Sequence, residues 1–288
     1  MRPGHDPAFS LAGRSRRTTW SVLTLLLAFA PACFASVIPP HLGPEGSEAY
    51  RLYANANMHR AFALAPGGRW GWVGDAVSAE AARLQALESC QSGSAQKCVL
   101  YDLNGRLVFD AKAWPGLWGP YATTAEAAKA RVGTQPGMRF PALRLTDPVG
   151  RKISLGDLRG KIVVLHFWGS WCSPCRKEMP EMQRAAARLG SAVRFVLVQV
   201  REDRITARRW LTRQGIRLPL YDSGAISSDD GTLHLADGGP LKDREIAKAF
   251  PSTYVLDRHG LVLFSHTGAI HGWSGYIPFL RHAADKGK

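Results

Sequence analysis

The chain has 288 residues, 45% of them hydrophobic and 21% charged, and a formal net charge of +14. That length and apolar share exclude a disordered polymer and leave room for two domains, while five cysteines are too few for a disulfide-dense scaffold. The basic balance raises nucleic acid, anionic membranes and acidic partners, but the arginines are scattered. Their largest group, Arg201, Arg204, Arg208, Arg209 and Arg213, falls on an expected amphipathic helix and reads as its solvated face, so no nucleic acid is expected.

Met1 to Ala35 reads as an export signal. Arg14, Arg16 and Arg17 form a basic n-region, Trp20 to Ala30 an apolar core, and Cys33-Phe34-Ala35 offers small residues at a cleavage point. The apolar run is too short for a confident transmembrane span. Soluble export to the periplasm or cell envelope is the expectation. Two anchored forms compete with it: Ala30-Pro31-Ala32-Cys33 is a degraded lipobox that would acylate Cys33, and an uncleaved signal would tether the chain. Ser15-Arg16-Arg17 hints at twin-arginine export, with a poor continuation in Thr18-Thr19-Trp20.

Val37 to Val132 is expected to form a small α+β domain. Phe62-Ala63-Leu64 is a short strand, Pro66-Gly67-Gly68 a turn, and Trp70 to Gly74 an aromatic strand. Ser78 starts a helix whose apolar face would be Ala82, Leu84, Leu87 and Cys90. A strand at Cys98 to Tyr101 turns at Asn104-Gly105 and returns as Leu107-Val108-Phe109. In an exported chain Cys90 and Cys98, flanking a short polar loop, are expected to form a structural disulfide contributing about 2–3 kcal/mol. No cluster of titratable residues points to catalysis here, and His59 reads as an ordinary histidine. The pattern weakly resembles a small exported αβ module of unassigned function, whose role is to bind a partner, to bind peptidoglycan or to brace the second domain.

Ala122 to Gly137 is rich in Ala, Thr and Gly, which places the boundary near residue 130. The second domain then runs from Met138 to Lys288. Pro141 to Leu145 and Lys152 to Leu155 flank Pro148-Val149-Gly150 as a hairpin, and Ile162 to His166 is a buried central strand. The stretch Phe167 to Pro180, FWGSWCSPCRKEMP, follows directly. Met179, Met182, Ala185, Ala186 and Leu189 recur at helical spacing before Gly190, so Cys172 and Cys175 sit where strand gives way to helix. Val193 to Val200 is a second buried strand and Ile205 to Gln214 a helix; strand, helix, strand, helix indicates a parallel sheet with right-handed crossovers. Ser223 to Pro240 is polar and long for a connection, either a mobile loop or an ordered insertion; Asp229, Asp230 and Asp237 lack the spacing of a calcium loop. Phe250-Pro251 opens a strand, Tyr254 to Ser265 forms a hairpin turning at Arg258-His259-Gly260, and a helix from about Ser274 to Ala284 closes the chain.

The position of the cysteine pair carries chemistry. Unpaired N–H groups and the positive dipole end at a helix start favour a thiolate, so Cys172 is the expected nucleophile, with a pKa below the usual thiol value of about 8.5. Cys175, one turn on, is placed to resolve a mixed disulfide. Pro174 falls in the first turn, where its missing N–H costs little, and Pro180 is expected to kink the helix. A structural zinc site would need a second ligand pair at comparable spacing. Cys33, Cys90 and Cys98 supply none, so no metal and no other cofactor is expected.

From Met138 onward, WCSPC followed by Lys177, Glu178 and Pro180 resembles the thioredoxin superfamily, and within it the TlpA/ResA-like thiol-disulfide oxidoreductases of the bacterial cell envelope. The resemblance covers about half of the chain. It implies an α/β fold in which a central mixed sheet is flanked by helices and preceded by a hairpin. It also implies a cis-proline at Pro251 opposite the cysteines, where the Phe250 backbone can pair with an extended substrate peptide, and a substrate-facing surface that includes Trp171 and Pro174. Glu178 matches an active-site glutamate of these proteins, whose burial would raise its pKa and let it move a proton. His166 departs from the pattern, standing where thioredoxin has a buried aspartate: a neutral imidazole shuttling a proton and a satisfied core histidine remain equal readings.

The function implied is an exported protein disulfide reductase acting on specific envelope proteins, for example in cytochrome c biogenesis, and recharged by a membrane thiol-disulfide electron donor. Two alternatives stay open. A peroxiredoxin-like peroxidase would use a lone peroxidatic cysteine in another local motif, and a scaffold protein would take its function from Val37 to Val132.

Overall fold

The computed structural model describes Pro39 and residues 41–286, all within one compact unit, Val37–Lys288. The expected leader, and Cys33 with it, lies outside the described residues. Among those described, no helix is long and apolar enough to cross a membrane.

The N-terminal part opens on a helix, Pro44–Asn55, that buries Ala49, Tyr50 and Tyr53. Behind it lies an antiparallel sheet in the order Trp70–Val73, Ala61–Leu64, Val99–Leu103, Arg106–Leu107. Helix Ala79–Gln91 starts at Ser78, whose hydroxyl accepts from the Ala81 N–H. Its inner face is Ala82, Ala86 and Cys90; the expected Leu84 is exposed. Close approach explains the small residues. A Cβ on Gly71 would fall 2.4 Å from the Cys90 nitrogen and 2.8 Å from the Ala86 carbonyl oxygen, so helix and strand touch backbone to backbone. Cys90 and Cys98 are joined by a disulfide with Cα atoms 6.1 Å apart.

The C-terminal part has a five-stranded sheet in the order Val262–Thr267, Ser252–Leu256, Ile162–Trp168, Val193–Gln199, Leu220–Tyr221. Ile162–Trp168 is central, parallel to Val193–Gln199 and antiparallel to Ser252–Leu256. All seven of its residues are buried, and alternation sends them to two cores. Ile162, Val164 and Trp168 join the core beneath the cysteine helix, and Val163, Leu165 and Phe167 the opposite one. The hairpin Arg144–Thr146 with Lys152–Ser154 precedes this sheet. The helix Ser173–Leu189 continues through Pro180 and buries Cys175, Glu178, Met179, Met182, Ala185 and Leu189.

The first sheet ends at Leu107 and the next strand begins at Arg144, while one apolar core runs across the interval between them. Trp118, in the 3-10 turn Trp114–Trp118, stacks on Phe279 with ring centroids 4.3 Å apart and meets Phe264 edge-on at 5.0 Å. Tyr50, Tyr53 and Phe62 belong to the same apolar cluster as Val164, Met179 and Phe279.

The stretch Ser223 to Pro240 is part of an ordered insertion. Thr232–His234 pairs with Pro240–Lys242, and a short helix, Asp243–Ile246, follows. Buried Asp243 takes a two-pronged hydrogen bond from Arg201, at 2.6 and 3.0 Å, which ties the insertion to the end of the second buried strand. The acidic side chains hold turns: Asp230 accepts from the Ile226 and Thr232 N–H groups and Asp237 from Gly239.

Candidate active site: a cysteine pair at a helix N-terminus

The central strand ends at Trp168, and four residues later Cys172 is the N-cap of the helix Ser173–Leu189. Pro174 occupies the first turn, where no N–H is missed. The Cys172 sulfur accepts a hydrogen bond from the Cys175 N–H at 3.3 Å. That donor and the helix dipole both act to stabilise negative charge on this sulfur. The two cysteines are bonded to each other. Cys175 is wholly enclosed, whereas Cys172 keeps 5% of its surface, so an incoming sulfur reaches Cys172 first.

The turn before the helix is held in two ways. Glu202 accepts from both the backbone N–H and the hydroxyl of Ser170, and burial raises the Glu202 pKa. Trp171 folds back over Gly169 and donates from its indole to the Val200 carbonyl at 3.2 Å. A Cβ on Gly169 would lie 2.2 Å from that indole nitrogen, so the contact requires glycine.

Just before the strand Ser252–Leu256, which pairs with the central strand, the Phe250-Pro251 peptide bond is cis. Phe250 meets Trp171 edge-on at 5.7 Å, and the Arg244 guanidinium lies over the Phe250 ring, 4.8 Å from its centroid. Trp171 stays 47% exposed, which leaves an aromatic residue at the surface next to Cys172 in the chain. Trp171 and Pro174 flank Cys172 in the chain, and Phe250 joins them through the Trp171 ring and by packing against the cluster that holds both cysteines. The Cys90–Cys98 disulfide lies by the other sheet, where it joins the end of helix Ala79–Gln91 to the residue before strand Val99–Leu103.

One turn beyond Cys175, Glu178 points into the core. Its Oε2 accepts from the Ile270 N–H at 2.9 Å and the Trp273 indole at 3.1 Å. Burial pushes its pKa up to about 7, Glu181 adds to the rise, and the two donors oppose it. His166 is also fully buried and is pushed down to about 3 by that burial. Its Nε2 is 3.5 Å from Glu178 Oε1, and its Nδ1 is 2.9 Å from the Thr253 hydroxyl. Thr253, Glu202 and Trp273 had no signal of their own in the sequence. They meet the cysteine region through strand register and the packing of the closing segment.

Residues 136–265 match the AhpC/TSA family. The thioredoxin-like protein YneN of Bacillus subtilis (strain 168) is 30% identical over 159 residues, which cover 53% of this chain and 82% of that one. The thiol-disulfide oxidoreductase ResA of the same organism is 33% identical over 135 residues, 46% of this chain and 68% of ResA. The chain belongs to the ResA-like thiol-disulfide oxidoreductases. Among solved structures, StoA from Bacillus subtilis superposes with a TM-score of 0.35 at 20% identity, covering 47% of this chain and 98% of StoA. As a thiol-disulfide oxidoreductase with a thioredoxin-like C-terminal part, the protein acts on thiols and disulfides, and Cys172–Cys175 is its one CxxC pair.

Proposed function

We propose that this oxidoreductase is exported and reduces disulfides of specific envelope proteins, with cytochrome c maturation as the expected setting. Cys172 thiolate attacks one sulfur of the substrate disulfide, and the other substrate sulfur leaves as a thiolate. Cys175 then gives its proton to the Glu178 carboxylate and attacks the Cys172 sulfur, releasing the second substrate thiolate. Two electrons pass to the substrate and the pair ends as a disulfide. A membrane thiol-disulfide donor reverses the change, and Glu178 returns the proton to the departing Cys175 sulfur.

The observation that carries the reading is the Cys172 sulfur at the helix N-cap, facing the Cys175 N–H at 3.3 Å. Trp171, Pro174, Phe250 and Pro251 would receive the substrate chain, and the Val37 to Val132 part would brace or steer it. Export is supported by the Met1 to Ala35 pattern. A peroxidatic reading has less support, because the nucleophile is bonded to a cysteine three residues away. Equilibration with dithiothreitol or glutathione buffers, followed by thiol alkylation, tests the direction. A reduction potential at or below about −270 mV agrees with a reductase, and one near −120 mV would make the protein an oxidant.

A further inference from the structure

The two oxygens of Glu178 are not equivalent. Oε2 takes both available donors, Ile270 N–H and Trp273 Nε1–H. Among the described residues Oε1 has no hydrogen-bond partner, and neither does the Nε2 of His166 that faces it at 3.5 Å. Both side chains are almost wholly buried, and a buried group without a compensating partner favours its neutral form. For a neutral Glu178 the acid proton belongs on Oε1, since Oε2 is already an acceptor twice. That proton faces the His166 Nε2. The imidazole must then carry its own proton on Nδ1, where the Thr253 hydroxyl oxygen lies 2.9 Å away and can accept it.

We infer that His166 is a positioning residue for the Glu178 proton. With Nδ1–H held on Thr253, its Nε2 accepts from Glu178 and keeps that carboxyl in the acid form while the Cys172–Cys175 disulfide stands. The inference rests on the reading of Glu178 as the group that exchanges a proton with Cys175. When the disulfide is reduced and the Cys175 sulfur takes the Oε1 proton, a carboxylate is left opposite an imidazole lone pair. The arrangement is relieved when the imidazole changes tautomer. Nε2–H then donates to Oε1, Nδ1 accepts from the Thr253 hydroxyl, and the proton count of the ring is unchanged. Threonine suits the position because its hydroxyl serves as acceptor in one state and donor in the other.

The other titratable groups around the pair are few. Cys175 and Glu181 share the Glu178 helix, and Glu181 pushes Glu178 upward. The Tyr276 hydroxyl, held protonated by burial, feels the Glu178 charge from the closing segment. His266 lies opposite Thr253 in the next strand and is pushed down by burial.

Nitrogen NMR of the full chain, labelled at histidine and oxidised, reads the tautomer at a pH near 6. The expected result is a protonated Nδ1 and a bare Nε2 on His166; a protonated Nε2 would overturn the inference. Thr253→Val and Thr253→Ser supply a second readout, the carboxyl titration of Glu178 followed by carbon NMR. Valine frees the imidazole to donate to the carboxylate, and the midpoint is expected to fall by about one pH unit; serine keeps the hydroxyl and the midpoint. An unmoved midpoint in Thr253→Val would count against the inference as firmly as the wrong tautomer. Exchange kinetics of Glu178→Gln address the Glu178 reading alone, so the two failures are distinguishable.

Discussion

Glu178→Gln separates the stability cost of a buried carboxylate from its use in proton transfer. Glutamine is nearly isosteric with the protonated acid: its carbonyl oxygen can accept from Ile270 N–H and Trp273 Nε1–H, and its amide can donate to His166 Nε2. In the native protein, burial holds the Glu178 pKa at about 7 against an ordinary value of 4.5. The folded chain therefore binds this proton more tightly than the unfolded chain. The stability it contributes is full below about pH 4.5 and is lost as pH rises through about 7. His166 acts with the opposite sign. Its pKa is pushed down to about 3 from 6.5, so its contribution is present above about pH 6.5 and is lost as pH falls toward 3. Since His166 is common to both proteins, it cancels in the comparison. The Glu178 displacement corresponds to about 3 kcal/mol. Urea unfolding of the oxidised proteins should give equal stabilities near pH 4.5, and a variant more stable by about 3 kcal/mol near pH 8. A difference that does not change with pH, or a variant less stable at pH 8, would refute the assignment of Glu178 as a buried, proton-binding carboxyl.

Three further perturbations address the surroundings. Replacing both Cys90 and Cys98 by serine should lower unfolding stability by about 2–3 kcal/mol and leave the exchange rate at Cys172 unchanged, as read by denaturation and a dithiothreitol exchange assay. Trp171→Ala removes the exposed ring beside Cys172. It is expected to slow exchange with a protein disulfide about tenfold, or 1.4 kcal/mol, with a much smaller effect on a small dithiol. Asp243→Asn weakens the Arg201 tie at a cost of about 2 kcal/mol, and limited proteolysis should then cut faster between residues 223 and 242.

The C-terminal order was legible because its signals are local. Seven buried residues from Ile162 to Trp168, the WCSPC turn and Phe250-Pro251 each announce themselves within a few residues. The N-terminal part was less legible. Helix Pro44–Asn55 has a modest apolar face in Ala49, Tyr50 and Tyr53, and that face gains its meaning only from the sheet it covers. Leu84 was expected inside because it is apolar, but the closeness forced by Gly71 selects alanine and cysteine on that side of the helix instead. The sequence leaves the stretch after Ser223 open between a mobile loop and an ordered insertion, because its order comes from Asp243 and Arg201, 42 residues apart. In the site, Cys172, Cys175 and Glu178 could be named from the motif. The facing of Glu178 and His166 depends on how the helix seats on the strand, and Thr253 joins them only through the pairing Thr253↔His166.

The central claim is that Cys172 attacks and Cys175 resolves. It is tested most directly by offering a disulfide-bonded protein substrate to the reduced Cys172→Ser and Cys175→Ser variants and resolving the products by non-reducing electrophoresis and mass spectrometry. Cys175→Ser should accumulate a mixed disulfide through Cys172, stable until a second thiol is added, while Cys172→Ser should trap nothing and lose exchange activity. Full activity in Cys172→Ser, or a mixed disulfide formed through Cys175, would contradict the assignment of the nucleophile.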